Sequence, residues 1–149
     1  LTEPANAAIV SSGSAQERTA EGVPTGSHVA WEPHPIQGWT PDFIPLVLQE
    51  AIDQKYYDEI VPVTGPEGME WSRKLAQEEG IFTGISAGAT MAVANKIAER
   101  SEPGTTILCM LPDTGERYLS SPLFEGIAEE MSDEEIALSK STPGYQIPD

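Results

Sequence analysis

The sequence has little positive charge. Eight Lys and Arg side chains stand against 24 Asp and Glu side chains in 149 residues, which gives a formal net charge of −16 at pH 7. Phosphate backbones and anionic lipid surfaces repel such a chain, so we expect no nucleic-acid partner and no docking on anionic membranes. Long apolar runs are also lacking. No stretch approaches the roughly 18 residues that a spanning helix needs, so we expect no membrane insertion.

Cysteine and histidine are scarce. Cys109 is the single cysteine, so no disulfide forms within the chain, and we expect a reducing compartment, either cytoplasmic or organellar. The two histidines, His28 and His34, have no Cys, Asp or Glu at metal-ligand spacing around both, so we expect no metal site. A hydrophobic fraction of 39% is typical of a globular protein, and the length suits one compact domain.

The middle of the chain alternates predicted strands and helices. Short runs of β-branched and apolar residues predict strands at residues 58–63, 81–83 and 105–111. Helices are predicted at residues 43–54, 64–79 and 86–100, with a capping box at the start of the second and Gly80 after its end. The unbroken apolar run of the third strand, which contains Cys109, indicates burial and an inert thiol. This order predicts an α/β fold with a parallel sheet.

A turn of small residues at 84–88, Gly-Ile-Ser-Ala-Gly, joins the second predicted strand to the third predicted helix. It matches the G-x-S-x-G nucleophile elbow of hydrolases, but those enzymes place their acid and histidine after the serine, whereas both histidines here precede it. Two interpretations remain open. Ser86 caps the helix, or its hydroxyl and the free N–H groups of the helix start bind a ligand at the carboxyl end of a strand.

Three stretches together resemble the cysteine synthase (O-acetylserine sulfhydrylase) family of fold type II pyridoxal-phosphate enzymes. They are His-Pro-Ile-Gln-Gly with the following Phe-Ile-Pro at 34–45, the turn region at 79–89, and Leu-Pro-Asp-Thr-Gly-Glu-Arg-Tyr-Leu-Ser at 111–120. The resemblance covers residues 1–124 and implies the carboxy-terminal half of such an enzyme, with a tryptophan synthase β-like, three-layer parallel sheet flanked by helices. Residues 125–149 form an acidic tail beyond it.

The resemblance implies pyridoxal 5'-phosphate as the cofactor and β-replacement as the reaction, in which sulfide displaces acetate from O-acetylserine to give L-cysteine. Ser86 matches the family serine that hydrogen-bonds the pyridine nitrogen, and Gly84 belongs to the same cofactor-binding turn. Gln37, Gly38 and Trp39 match the loop at the mouth of the active site. Here the chain departs from the common family form Gly-Ile-Gly-Ala-Gly, because residues 38–42 read Gly-Trp-Thr-Pro-Asp. The departure leaves the sulfur donor open, and the turn is shared with cystathionine β-synthase, a minor alternative.

The resemblance places the family's Schiff-base lysine, substrate loop and phosphate-binding loop in the amino-terminal half. None of the four lysines of this chain matches the lysine motif; they are Lys55, Lys74, Lys96 and Lys140. We therefore expect no catalytic residue here, an inactive chain when alone, and the amino-terminal half as a partner. The family also implies a homodimer and, in many members, binding of serine acetyltransferase. The alternative is a non-catalytic interaction or scaffold subunit derived from such a half.

Overall fold

A computed structural model describes residues 1–141; the last eight residues of the acidic tail, 142–149, lie outside the described residues. The elements, in chain order, are β1 (Thr2–Pro4), α1 (Leu46–Asp53), β2 (Val61–Val63), α2 (Gly65–Glu79), α3 (Ile85–Ala98) and α4 (Asp133–Ser139). Two short 3-10 turns, Gly115–Tyr118 and Pro122–Phe124, lie between α3 and α4. No helix within the described range is long and apolar enough to cross a membrane.

The two strands form a parallel pair. Thr2 lies opposite Val61 and Pro4 opposite Val63, and the Thr2 hydroxyl donates to the Val61 carbonyl at 2.9 Å. The end of the strand predicted at 58–63 is therefore confirmed. Pro62 has no N–H to donate, which confines it to positions where the ladder does not require one. Parallel pairing brings the beginning of the chain beside β2 and close to α3.

Helix α2 begins and ends as its sequence predicts. The Thr64 hydroxyl accepts from the Glu67 N–H at 3.3 Å, and the Glu67 carboxylate accepts from the Thr64 N–H at 2.8 Å. This capping box satisfies two N–H groups that the first turn leaves without helical partners. At the other end Gly80 adopts φ +68°, the left-handed conformation that glycine tolerates best, and its N–H reaches the Leu75 carbonyl.

Glu67 also connects α2 to α3. Its carboxylate accepts from the Lys96 ammonium at 2.7 Å. This bond, with the two from Thr64, lowers the pKa of Glu67 from its usual 4.5 to about 2. Because the folded-state pKa lies below the unfolded value, the carboxylate stabilises the fold above about pH 4.5 and loses this contribution as the pH falls toward 2.

Glu67→Gln is expected to lower the free energy of unfolding at neutral pH and to lose that deficit in acid. A glutamine side chain can still accept a hydrogen bond from the Thr64 N–H, but it removes the negative charge that pairs with Lys96. Urea unfolding of the wild type and the variant from pH 7 down to 2 measures the difference. Glu70→Gln removes an exposed pair with Lys74 on the same helix and is the matched control, with an expected effect of about 0.5 kcal/mol or less. A Glu67→Gln deficit that does not change with pH would contradict the assignment.

Helices α2 and α3 pack closely because their contact is made by small residues. A Cβ on Gly88 would lie 2.0 Å from the Gly68 carbonyl oxygen and 2.5 Å from the Ser72 backbone nitrogen. The small residues that follow Ser86 therefore serve helix–helix packing. Around this contact lies the apolar core, which consists of Ile36, Val63, Ile85, Ala89, Ala92, Val93, Tyr118 and Leu123.

Two strand predictions and one helix boundary are wrong. Residues 81–83 form only an isolated antiparallel bridge, between Thr83 and Thr114. Residues 105–111 form no strand, and Leu108 is 98% exposed, because no strand within the described part of the chain supplies the N–H and C=O partners that a strand needs. The first helix begins at Leu46, after Pro45, rather than at Phe43.

The described part of the acidic tail is almost wholly exposed. It contains the short helix α4, which Ser132 and Glu135 begin with a second capping box, and none of its residues is buried. Three acidic residues in its first turn suit the positive end of the helix dipole. Up to Ser141, the tail therefore adds a solvated acidic helix and contributes nothing to the core.

Candidate cofactor site

The start of helix α3 forms the floor of the candidate site. The expectation that Ser86 caps this helix is wrong: Gly84 is the N-cap residue, and no side chain caps the first turn. Ser86 lies one residue inside the helix and is only 3% exposed. Its hydroxyl is thus not used for capping, and the first N–H groups of α3 lack a side-chain acceptor. That combination favours the ligand-binding interpretation of the turn.

Gly84 provides space. A Cβ at this position would lie 2.2 Å from Cε2 of Tyr118 and 2.5 Å from Oδ1 of Asp113, far inside contact distance. Its φ of −82° is open to any residue, so the requirement is steric and not conformational. The glycine lets an aromatic ring and a carboxylate lie directly against the helix start. Gly84 itself is buried behind them.

Tyr118 lies beside Asp113 in the same cavity as Ser86. Its hydroxyl donates to Oδ2 of Asp113 at 2.5 Å. Burial and then the neighbouring Asp113 carboxylate raise the pKa of Tyr118 to about 12, so the phenol stays protonated at physiological pH. The other oxygen of Asp113, Oδ1, is buried and has no hydrogen-bond partner in the described structure.

A cavity of about 750 Å³ opens above these groups, which is within the range of small-molecule and cofactor sites. The cavity brings Ser86 together with the predicted loop at its mouth, residues 37–39, which we call the access loop. It also contains two residues that had no assigned role, Asp113 and Tyr118. The lining residues that matter here are Gln37, Gly38, Trp39, Ser86, Asp113 and Tyr118. Asp113 lies in the stretch 111–120 that resembles the family, which the sequence marked without giving this residue a role. Nothing in the sequence pointed to Tyr118 except its place in the family-like stretch.

The access loop is held by two ring N–H groups at one carbonyl. Trp31 donates to the Thr40 carbonyl at 3.0 Å, and Nε2 of His34 contacts the same oxygen at 3.2 Å. Thr40 has φ +45°, the left-handed region that favours glycine, which explains why the common family form has glycine at this position. These contacts keep the loop in a glycine-like conformation without the glycine, and they leave Trp39 half-buried at the cavity wall.

The remaining candidates have structural roles. Buried His28 accepts from the Ala30 N–H through Nδ1 and contacts the Ser14 carbonyl through Nε2. Cys109 is half-buried outside any strand, and burial raises the pKa of its thiol, which keeps it protonated and unreactive. Across residues 1–141, no group of three or more His, Cys, Asp or Glu is arranged to hold a metal ion.

The residues present fit pyridoxal phosphate. A neutral, buried hydroxyl suits a pyridine-type ring nitrogen, and the glycine at the helix start gives a flat face on which side chains can approach closely. A family model described as "Pyridoxal-phosphate dependent enzyme" matches residues 2–113. The chain belongs to this family. Its cofactor is pyridoxal phosphate.

Two relatives show which enzymes of this family the chain is similar to. O-ureido-L-serine synthase of Streptomyces lavendulae is 45% identical over 135 residues, which is 91% of this chain and 36% of that protein. Cysteine synthase of Staphylococcus aureus is 45% identical over 92 residues, 62% of this chain and 28% of that protein. The chain thus spans about a third of the length of the relatives it matches and is similar to cysteine synthases and related synthases.

Solved structures show the same fold. A crystal structure of O-ureido-L-serine synthase matches with a TM-score of 0.69 and 44% identity, over 91% of this chain and 37% of that one. Cysteine synthase of Entamoeba histolytica matches with a TM-score of 0.64 and 31% identity, over 93% of this chain and 35% of that one. These similarities confirm the fold type II class, an α/β fold with a parallel sheet and helices, of which this chain forms a part.

Proposed function

We propose that this chain is the carboxy-terminal part of a pyridoxal-phosphate β-replacement enzyme that forms L-cysteine from O-acetylserine and sulfide. The observation that carries the proposal is the buried hydroxyl of Ser86, which caps nothing and lines a cofactor-sized cavity at the start of α3. Similarity to cysteine synthases supports the substrate pair. In this proposal residues 1–124 are the part of the enzyme that contributes to the active site, and residues 125–149 are an acidic tail beyond it.

In the proposed function, this chain binds and orients the cofactor. Bound pyridoxal phosphate supplies the electron sink that allows the substituent at the β-carbon to leave and be replaced. The Ser86 hydroxyl binds the ring nitrogen, Gly84 leaves room for Tyr118 and Asp113 beside it, and the access loop at residues 37–39 lines the mouth of the cavity. The lysine that binds the cofactor covalently and the phosphate-binding loop come from the amino-terminal half.

A second candidate reaction is the formation of an O-substituted serine. The similarity to O-ureido-L-serine synthase extends over 91% of this chain, against 62% for the cysteine synthase of S. aureus. In this alternative an oxygen nucleophile takes the place of sulfide, and the cofactor contacts of Ser86 stay the same. The difference between the two reactions would then lie at the cavity mouth, where Trp39 stands in place of the isoleucine of the common family form.

The proposed assembly contains this chain, its amino-terminal half and a second copy of both, with serine acetyltransferase as a further partner in the cleft. We use "complete enzyme" for this chain joined to or co-expressed with its amino-terminal half. The competing proposal is a scaffold subunit without cofactor. Intact mass of the native material, with an absorbance scan for bound pyridoxal phosphate, separates the two. A 16 kDa species without chromophore in a larger particle would support the scaffold.

The reaction itself is tested with O-acetylserine and two nucleophiles in parallel. Sulfide gives L-cysteine, and hydroxyurea gives O-ureido-L-serine. We expect the complete enzyme to release acetate with sulfide as the better nucleophile. A strong preference for hydroxyurea would establish the second candidate, and no acetate release with either nucleophile by a cofactor-loaded enzyme would overturn β-replacement.

Trp39→Ala is expected to alter nucleophile selectivity more than stability, because the ring forms part of the cavity wall. The ratio of kcat/KM for hydroxyurea to that for sulfide should rise about tenfold, since opening the mouth favours the bulkier nucleophile by roughly 1–3 kcal/mol. Trp71→Ala is the matched control: Trp71 also packs on the core but does not line the cavity. An unchanged ratio in Trp39→Ala, with a fall in Tm like that of Trp71→Ala, would show that Trp39 is packing only.

A further inference from the structure

We propose that residues 16–34, which we call the clamp segment, fix the position of Trp39 at the cavity mouth and so determine which nucleophile enters. The inference rests on the proposed function, because it concerns the selection between two nucleophiles of one reaction. It assigns Ser27 and Trp31 as positioning residues, which act on the nucleophile through Trp39. The observation that carries it is the set of hydrogen bonds from the clamp segment to the residues that directly follow the access loop.

The backbone is strained one residue after Trp39. Thr40 has φ +45°, and a positive φ is a genuine outlier for a β-branched residue. The next residue is Pro41, and a proline restricts the residue before it to extended conformations. Two separate steric rules thus disfavour the conformation of Thr40. Such a conformation persists only where the surrounding structure over-determines it, and these conformations cluster at functional sites.

The clamp segment supplies the contacts that hold this conformation. The Thr40 carbonyl accepts from the indole N–H of Trp31 at 3.0 Å. Two residues later, Asp42 is held through both its backbone and its side chain. Its carbonyl accepts from the His28 N–H at 2.6 Å, and Oδ2 of its carboxylate accepts from the Ser27 hydroxyl at 2.5 Å.

The hydrogen bonds continue to Ile44, which is 2% exposed. Its N–H donates to Oε1 of Gln16 at 3.1 Å, and its carbonyl accepts from the Arg18 guanidinium. Side chains of the clamp segment therefore satisfy both backbone groups of this buried residue, as buried backbone groups require. The clamp segment thus bonds the chain at three alternate positions, 40, 42 and 44, so the stretch after Trp39 cannot shift without breaking several hydrogen bonds together.

These bonds restrain Trp39 because it lies between two fixed points. On its amino-terminal side Ile36 is fully buried in the core, and the Ile36 carbonyl accepts from the Trp39 N–H at 3.3 Å. On its carboxy-terminal side the clamp segment holds Thr40. The Trp39 ring packs against the apolar core and lines the cavity. Because the loop is held at both ends, the ring stays at the mouth, where its bulk disfavours the larger of the two nucleophiles.

The test compares the complete enzyme with two variants that weaken the clamp segment without changing the cavity lining, because neither Ser27 nor Trp31 lines the cavity. Trp31→Phe removes the indole N–H, and Ser27→Ala removes the hydroxyl bonded to Asp42. Each variant should raise the ratio of kcat/KM for hydroxyurea to that for sulfide by about threefold, which is part of the change expected for Trp39→Ala.

Two further measurements show whether the clamp segment acts through Trp39. In the Trp39→Ala background, Ser27→Ala and Trp31→Phe should leave the ratio unchanged, because the ring that they position is absent. Hydrogen exchange of a peptide covering residues 37–44 should be about fivefold faster in each clamp variant, which corresponds to the loss of one hydrogen bond. The exchange rate does not depend on turnover.

Trp71→Phe on α2 and Ser139→Ala on α4 make the same chemical changes away from the access loop, and they should change neither the ratio nor the exchange rate. An unchanged ratio in both clamp variants, or a rise that persists in the Trp39→Ala background, would overturn the inference and leave the proposed function intact. No β-replacement with either nucleophile by the cofactor-loaded wild type would instead overturn the proposed function. If Trp31→Phe fails to fold, Ser27→Ala decides alone, because Ser27 is exposed.

Discussion

Replacing Ser86 with Ala is expected to weaken pyridoxal-phosphate binding by the complete enzyme about tenfold or more. The variant removes the hydroxyl that lies in the cavity within the first turn of α3, and losing the partner of a buried polar group costs about 1–3 kcal/mol. Each 1.4 kcal/mol changes a dissociation constant about tenfold. The measurement is cofactor titration followed by absorbance, because it depends on binding and not on turnover.

Ser72→Ala is the matched control for that experiment. Ser72 is also buried, on helix α2, and its hydroxyl donates to the Thr83 carbonyl at 2.7 Å, away from the cavity. We expect this variant to lower Tm by several degrees while the dissociation constant of the cofactor stays the same. If both serine variants weakened cofactor binding equally, or if neither did, Ser86 would be a structural residue.

Gly88→Ala is expected to destabilise the fold by about 3 kcal/mol or to prevent folding. The added methyl group would meet the Gly68 carbonyl and the Ser72 backbone nitrogen, which are backbone atoms of α2 that cannot rotate away. Overpacking of this kind typically costs about 1–3 kcal/mol and sometimes more. Urea unfolding gives the free energy, and the yield of soluble protein reports a failure to fold.

Gly26→Ala is the control for the glycine substitution, because a Cβ at Gly26 would meet nothing within 4 Å. It should change the free energy of unfolding by less than about 0.5 kcal/mol. A Gly88→Ala variant as stable as Gly26→Ala would show that α2 and α3 are farther apart than the structure places them. The α3 start, and with it Ser86, would then be positioned by something other than this helix pair.

Local signals predicted the helices well. The Thr64–Glu67 capping box, the proline in the first turn and Gly80 at the end each act within a few residues, so the sequence alone defines α2 from end to end. Helix α3 was predicted in type and approximate length, but one of the two interpretations made Ser86 its cap, whereas the N-cap residue is Gly84. A polar side chain before an apolar segment resembles a cap, and only the backbone geometry shows that it lies inside the first turn.

The strands were harder to predict from the sequence, because a strand forms only where a neighbouring strand pairs with it. Residues 105–111 have the composition of a buried strand, yet Leu108 is exposed and nothing in the described part of the chain pairs with the segment. Composition reports that the segment suits a sheet, whereas pairing depends on residues distant in sequence. The β1–β2 pair joins residues almost 60 positions apart for the same reason.

The candidate site likewise contains residues that the sequence predicted and residues that it did not. Ser86 and the loop at Gln37, Gly38 and Trp39 were predicted from family-like motifs, and the structure places them around one cavity. The Asp113–Tyr118 bond was missed because the 3-10 turn Gly115–Tyr118 folds the tyrosine back onto the aspartate, five residues before it. Periodicity of strands and helices contains no signal for such a turn.

A crystal structure of the complete enzyme with pyridoxal phosphate bound tests the central claim most directly. The distance to determine is the one between Oγ of Ser86 and the ring nitrogen of the cofactor. The account predicts a hydrogen bond of about 2.7–3.2 Å. A ring nitrogen that contacts another side chain, with the Ser86 hydroxyl turned away from the cofactor, would contradict it.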